Sequence, residues 1–163
     1  VAKVAAAVAA REDDDFVLIA RTDARAPHGL DEALRRASRC RDAGADVLFV
    51  EALQSEREIE RVASEFAGTP LLFNWVEGGK TPPLSHDAIA AMGYAVIIIP
   101  IGTLLAATGA MQAYLAALKT NGAPTPFVDG SADRARGGSM SFDGFSELIG
   151  LGEFTELERR FSG

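Results

Sequence analysis

Residues 16–24 read FVLIARTDA: five apolar residues run into an arginine, a threonine and an aspartate with no turn residue between them. A continuous apolar run is the pattern of a strand buried on both faces. Ending that strand on Arg21 puts a guanidinium where the strand leaves its sheet, and parallel α/β folds bind their ligands there. Three later segments repeat the plan. Residues 46–52 (DVLFVEA) end on Glu51, residues 70–76 (PLLFNWV) on Asn74, and residues 94–101 (YAVIIIPI) on Pro100. The intervals are 30, 23 and 26 residues, counted from Arg21 to Glu51, Asn74 and Pro100 in turn. One strand, one helix and two short loops fill such an interval. The chain therefore reads as four consecutive β/α units whose strand ends converge on one polar site.

The segments between the strands support this reading. Helices are expected over 1–11, 30–43, 55–66, 86–92, from just after Pro100 to about 119, 142–149 and 153–161. Asp31 near the start of the second and Gly44 just past its end follow the usual asymmetry of caps. Ser55 and Glu58 form a capping box, the serine accepting from an orphan amide and the glutamate reaching back to another. Leu34, Ala37 and Cys40 share a face, which makes Cys40 a small core or interface residue. The loops are 12–15 (acidic), 22–29, 76–83 (rich in Gly and Pro) and 120–140. The last is too long for an ordinary connection.

With 163 residues, 48% of them hydrophobic, the chain can build one globular domain with a sizeable core. A net charge of −7 argues against nucleic acid or an anionic membrane as a partner, and the adjacent basic pairs are only Arg35-Arg36 and Arg159-Arg160. Cys40 is the sole cysteine, so there is no disulfide framework and no CxxC site, and a cytoplasmic location is expected. Residues 94–118 carry no charge and imitate a membrane span. Pro100 and Gly102 interrupt them, however, and β-branched residues give way to alanine and leucine, so a buried strand followed by a buried helix is expected. No signal peptide is visible, and Val1 opens inside a helical pattern without a methionine, which reads as an interior start.

Alternating strands and helices predict a parallel sheet with right-handed crossovers. Neither GxGxxG nor GxxxxGK[ST] follows a strand, so nucleotide binding has no motif to rest on. Four units amount to half of a (β/α)₈ barrel. Arg21 offers a bidentate fork for a carboxylate or phosphate, unless a salt bridge to Glu51 or Asp23 merely closes the top. Glu51 shares a strand face with Val47 and Phe49 and can orient Arg21, hold a metal-bound water or move a proton. Asn74 can donate to and accept from a carboxylate or carbonyl. Glu77, Gly78 and Gly79 make a loop that lets backbone approach a ligand. His28 and His86 have no partner at catalytic or metal-ligand spacing and read as surface residues, and Asp13–Asp15 as a solvated turn. No metal-ligand pattern is visible.

The ordered set ARTDA, FVEA and FNWVEGGKTPPLS, continued by GYAVIIIP and SFDGFSELIGL, resembles the isocitrate lyase and phosphoenolpyruvate mutase superfamily over essentially the whole chain. The resemblance implies a (β/α)₈ TIM barrel that binds Mg²⁺ and small 2-oxo or 2-hydroxy acids. It also implies cytoplasmic homotetramers that exchange a terminal helix. Arg21 matches the family's substrate-carboxylate arginine, Glu51 the glutamate of the following strand, and Asn74 the substrate-binding asparagine. The NWVEGGKTP loop is closest to the methylisocitrate lyase, dimethylmalate lyase and oxaloacetate decarboxylase-like branches. GTLLAAT after Pro100 lacks the arginine expected near Leu105 in methylisocitrate lyases. The family's magnesium-binding aspartates and its KxCGH gate would precede Val1, and Cys40 does not match that gate cysteine.

The expectation is thus an α/β chain forming the C-terminal half of a TIM barrel, strands 5–8 over residues 1–120, with a loop and helical extension over 121–163 that subunits exchange. Its substrate-binding residues are Arg21, Glu51, Asn74, Glu77, Gly78 and Gly79, with no catalytic residue assigned beyond support from Glu51. The expected activity is that of a Mg²⁺-dependent carbon–carbon lyase acting through an enolate on a small 2-hydroxy or 2-oxo dicarboxylic acid. Methylisocitrate, dimethylmalate and oxaloacetate are the models. The alternatives are carbon–phosphorus chemistry of the phosphonopyruvate mutase or hydrolase type, and a non-catalytic half-barrel that binds or assembles.

Overall fold

A computed structural model describes residues 1–128 and 140–161. The chain falls into two compact units, Val1–Gly102 and Thr103–Gly163. The first is built on helix α1 (Ala2–Ala10), strand β1 (Ile19–Thr22), helices α2 (Arg25–His28) and α3 (Leu30–Asp42), and strand β2 (Val47–Val50). Helix α4 (Glu56–Glu65), strand β3 (Leu72–Asn74), helix α5 (His86–Ala91) and strand β4 (Val96–Ile98) complete it, and helix α6 (Gly102–Asn121) starts at its last residue.

All strand pairs are parallel. β1 pairs with β2 in the register Arg21↔Phe49, and β3 pairs with β4 in the register Asn74↔Ile98. A parallel bridge from Leu48 to Leu71, with the Leu48 amide donating to the Pro70 carbonyl at 3.0 Å, joins the two pairs. The spatial order is therefore the sequence order. A doubly wound sheet reverses its order partway, whereas a singly wound barrel wall does not.

Strand alternation sorts the side chains into two layers. Leu48, Val50, Leu71 and Phe73 face the helices and pack with Ala33, Leu34 and Ala37 of α3, Ile59 and Val62 of α4, and Phe66. Cys40 packs on the edge of this core, as its helical spacing predicts. On the opposite face Val47, Phe49 and Leu72 form a smaller cluster with Ile98. Helices α4 and α5 carry side-chain caps: Ser55 Oγ accepts from the Glu58 amide at 3.2 Å, as the sequence predicts, and Ser85 Oγ from the Ala88 amide at 3.2 Å, whereas α3 starts at Gly29 without one.

Several boundaries and burials differ from expectation. The first strand begins at Ile19 instead of residue 16, and Phe16 and Val17 are exposed. It is buried on one face only: Ala20 and Thr22 are covered, while Ile19 and Arg21 are open. The reason is that β1 has a strand neighbour on one side alone among the described residues, so the layer that covers Phe49 thins out over Ile19. β4, expected as a buried strand, is half-open for the same reason, with Val96 exposed. The loop expected at 22–29 contains the single turn α2.

The second unit holds the rest of α6, then α7 (Thr125–Val128), α8 (Phe142–Leu148) and α9 (Leu151–Phe161). Tyr114 of α6 packs on Phe127, their ring centres 5.3 Å apart. The expectation that α6 is buried is not met: none of its residues is buried, and Leu104, Leu105 and Leu115 are open, because no other helix of its unit packs extensively along it among the described residues. Much of the long connection expected over 120–140 lies outside the described residues. No helix among the described residues is long and apolar enough to cross a membrane.

Candidate functional site

The C-terminal ends of β1, β2 and β3 bring Arg21, Glu51 and Asn74 into one row, joined by an ion pair on one side of Glu51 and a hydrogen bond on the other. Arg21 and Phe49 are register partners on adjacent parallel strands, so their side chains leave the same face side by side. The guanidinium carbon lies 4.8 Å from the centre of the buried Phe49 ring, a cation–π contact that holds the fork's plane. Two residues beyond Phe49, Glu51 returns to that same face. Its Oε2 is shared, 3.4 Å from Arg21 Nη2 on one side and accepting from Asn74 Nδ2 at 3.1 Å on the other.

That last bond sets the polarity of the amide. With Nδ2 committed to the carboxylate, Asn74 Oδ1 points away, is buried, and has no hydrogen-bond partner. A buried acceptor without a donor costs about 1–3 kcal/mol, so this oxygen is suited to a donor brought by a ligand. The indole nitrogen of the next residue, Trp75, is likewise buried without a partner.

Asp23 closes the other side of Arg21. Its carboxylate accepts from Arg21 Nη2 at 2.7 Å and from Nε at 3.1 Å, a bidentate fork on the Nε–Nη2 edge. This hydrogen bond raises the arginine pKa further above its ordinary value and lowers that of Asp23 below the usual carboxylate range. A groove of about 420 Å³ opens beside the pair and is lined by Arg21, Asp23, Pro27, Arg36 and Cys40 among others. Both salt-bridge partners that the sequence offered for Arg21 are thus present, and the cluster still keeps an unsatisfied buried oxygen on Asn74.

Two features that sequence reasoning missed hold these loops. Ala52, directly after Glu51, has φ +61°, a left-handed conformation that a residue with a Cβ adopts at a cost of roughly 1–2 kcal/mol. It turns the chain abruptly off β2 and fixes the direction in which Glu51 leaves. Arg25, at the start of α2, forks onto Glu58 at 2.6 and 2.9 Å, and Glu58 Oε2 also accepts from the Gln54 amide at 2.8 Å. The loop carrying Asp23 is thereby tied to the loop carrying Ala52. The capping-box glutamate reaches one residue further back than Ser55, because Arg25 pulls it there.

The Glu58 carboxyl lies below its ordinary pKa, first because of the Arg25 hydrogen bond. A depressed carboxylate contributes stability above its unfolded pKa, near 4.5, and loses it as pH falls through the lower folded value. Glu58→Gln is therefore expected to cost about 1–2 kcal/mol at pH 7, for a charged hydrogen bond that is mostly shielded from water. The gap to the wild type should shrink below pH 4.5, as read from urea midpoints across pH. A gap unchanged by acid would assign the loss to packing instead of charge.

Glu77, Gly78 and Gly79 occupy the turn after β3, closed by the Gly79 amide donating to Val76 O at 3.1 Å. Gly78 has φ +70°, which explains a glycine there. The Glu77 carboxylate lies against Gly102, where an added Cβ would meet it. Among the described residues no hydrogen bond or ion pair joins Glu77 to Arg21, Glu51 or Asn74. His28 and His86 stand apart from the row, His86 beside Asp87 on the surface. No group of three His, Cys, Asp or Glu side chains suited to a metal comes together among the described residues.

Parallel strands in sequence order, helices covering one face, and polar residues gathered at the strand ends define an α/β scaffold of the TIM-barrel type. The family model for phosphoenolpyruvate phosphomutase matches residues 1–119, and the chain belongs to that family, within the PEP mutase/isocitrate lyase superfamily. It is 36% identical over 162 residues to 2,3-dimethylmalate lyase of Eubacterium barkeri, covering 99% of this chain and 53% of the relative. It is 41% identical over 136 residues to probable 2-methylisocitrate lyase 1 of Corynebacterium glutamicum, covering 83% of this chain and 45% of the relative. Among solved structures, oxaloacetate acetylhydrolase with 3,3-difluorooxalacetate superposes with a TM-score of 0.79 at 31% identity, over 99% of this chain and 52% of the other. The chain spans about half the length of the curated relatives it matches.

Proposed function

We propose that this chain forms the C-terminal half of a TIM barrel and carries the carboxylate-binding side of a carbon–carbon lyase. The substrate class is a small 2-hydroxy or 2-oxo dicarboxylic acid resembling methylisocitrate, dimethylmalate or oxaloacetate. The observation that carries this reading is the Arg21–Glu51–Asn74 row at three adjacent strand ends, with Asn74 Oδ1 buried and unpartnered. Arg21 holds the carboxylate next to the breaking bond. Cleavage leaves an electron pair on the adjoining carbon, delocalised as an enolate, and a fixed guanidinium next to that charge lowers its energy without reorganising. Glu51 keeps the guanidinium in place, Asn74 Oδ1 accepts from a hydroxyl or other donor of the ligand, and the loop of Glu77, Gly78 and Gly79, which begins three residues after Asn74, would offer its backbone to the ligand.

Mg²⁺ belongs to this proposal, but the donors present do not make a site for it. One unshared oxygen of Glu51 and the Asn74 amide oxygen fall well short of an octahedral oxygen shell. Its main ligands would come from outside this chain. The 121–163 extension is proposed to pack on a neighbouring subunit of a cytoplasmic homotetramer. Support comes from the open apolar residues Phe142, Phe145 and Ile149 at α8, and Phe154, Leu157 and Phe161 on α9.

Carbon–phosphorus chemistry is the second reading, supported by the description of the matching family model. Incubation of the protein containing this chain with Mg²⁺ and each candidate acid, followed by NMR, separates the readings. Cleavage of a dicarboxylate into two smaller acids is expected. Rearrangement of phosphonopyruvate, or phosphate release from it, would replace the lyase reading with the second one. Binding of these acids without turnover would leave a non-catalytic binding module.

A further inference from the structure

Arg21 already holds a carboxylate. Asp23 occupies the Nε–Nη2 edge of the guanidinium with short, bidentate hydrogen bonds, and Glu51 stands against Nη2 as well. One positive charge is therefore flanked by two negative ones, and an anionic ligand approaching Arg21 meets a local excess of negative charge. One carboxylate must yield before a ligand can take a full fork.

The two differ in how firmly they are held. Glu51 is 20% exposed, is gripped by Asn74 on its other side, and follows the turn fixed by Ala52. Asp23 is 66% exposed, and Arg21 is the only side chain that its carboxylate is seen to contact among the described residues. The groove of about 420 Å³ beside it, lined in part by Arg36, gives the side chain room to rotate away toward a second cation. Resting on the carboxylate-binding role proposed for Arg21, we infer that Asp23 is a resident surrogate for the ligand's carboxylate, holding the Arg21 fork until a dicarboxylate displaces it. Asp23 is then a positioning residue: it keeps the guanidinium over the Phe49 ring when no ligand is present and weakens every anion that binds there.

The test is the dissociation constant of malonate, measured by calorimetry at fixed ionic strength in metal-free buffer, on the protein containing this chain and three variants. Asp23→Asn removes the charge and keeps the shape, and it should tighten malonate roughly three- to tenfold. Arg21→Gln should abolish the binding, and in the double variant the gain from Asp23→Asn should vanish. Malonate binding that depends on Arg21 but is unchanged or weakened in Asp23→Asn overturns the surrogate and leaves the Arg21 reading standing. An equal gain with and without Arg21 also overturns it, since the effect is then one of overall charge. If neither the wild type nor Asp23→Asn binds malonate, the Arg21 reading falls and takes the surrogate with it. Binding detected only in Asp23→Asn, and only with Arg21 present, supports it most strongly.

Discussion

Arg21→Lys is expected to lower kcat/KM by roughly two orders of magnitude or more in the protein containing this chain, with the fold intact. Lysine keeps the charge but replaces a planar fork by a single ammonium, so the two parallel hydrogen bonds to a carboxylate become one. The guanidinium's contact with the Phe49 ring, at 4.8 Å, is lost too, and with it a constraint on its position. Because Arg21 is half-exposed at a strand end, the substitution leaves the core untouched and thermal unfolding should move little. Steady-state kinetics on the best substrate of the acid panel provides the check. Near wild-type turnover would remove Arg21 from the site.

The largest expected effect on stability lies directly beside the site. Phe73 is 2% exposed, packs edge-on against Tyr94 with ring centres 5.5 Å apart, and precedes Asn74 on β3. Phe73→Ala removes a ring from the layer that α4 and α5 cover, and such truncations cost about 3–5 kcal/mol through lost transfer energy and the cavity left behind. Against a total stability on the order of 5–15 kcal/mol, that leaves a marginal or unfolded chain at 37 °C. Phe73→Leu fills most of the space and should recover more than half of the loss. Urea denaturation followed by tryptophan fluorescence measures both, since Trp75 is the only indole. A loss below about 1 kcal/mol for the alanine variant would show that the layer between strands and helices is not the main core.

The order of elements, the parallel pairing and the converging strand ends could be read from the sequence because each rests on local pattern. Apolar runs ending in Arg21, Glu51 and Asn74 are short-range signals, and Ser55 with Glu58 announces its helix within four residues. The row formed by those three residues follows from strand alternation once the pairing is known. What could not be read depends on neighbours distant in sequence. The exposure of Ile19 and Val96 reflects how many strands flank them, which no run of apolar letters records. The stack of Arg21 on Phe49 requires the register, and Asp23 could be named as a partner without any hint that it takes the whole Nε–Nη2 edge. The positive φ of Ala52 carries no sequence signal, since Gly, Asn and Asp are the residues that announce such a turn and alanine is none of them. Glu77 points toward Gly102, a direction set by turn geometry instead of composition.

The sequence-ordered strand pairing has a kinetic consequence. Ile19 meets Val47, Leu48 meets Leu71 and Leu72 meets Val96, separations of 28, 23 and 24 residues. Loop-closure entropy grows only as the logarithm of length, so these three closures differ by only ~0.2 kcal/mol. Each new strand docks on the one formed before it, and none has to wait for a distant partner. Assembly of the first unit can thus advance as a zipper along the chain, each β/α unit templating the next, at the modest contact order of mixed α/β domains.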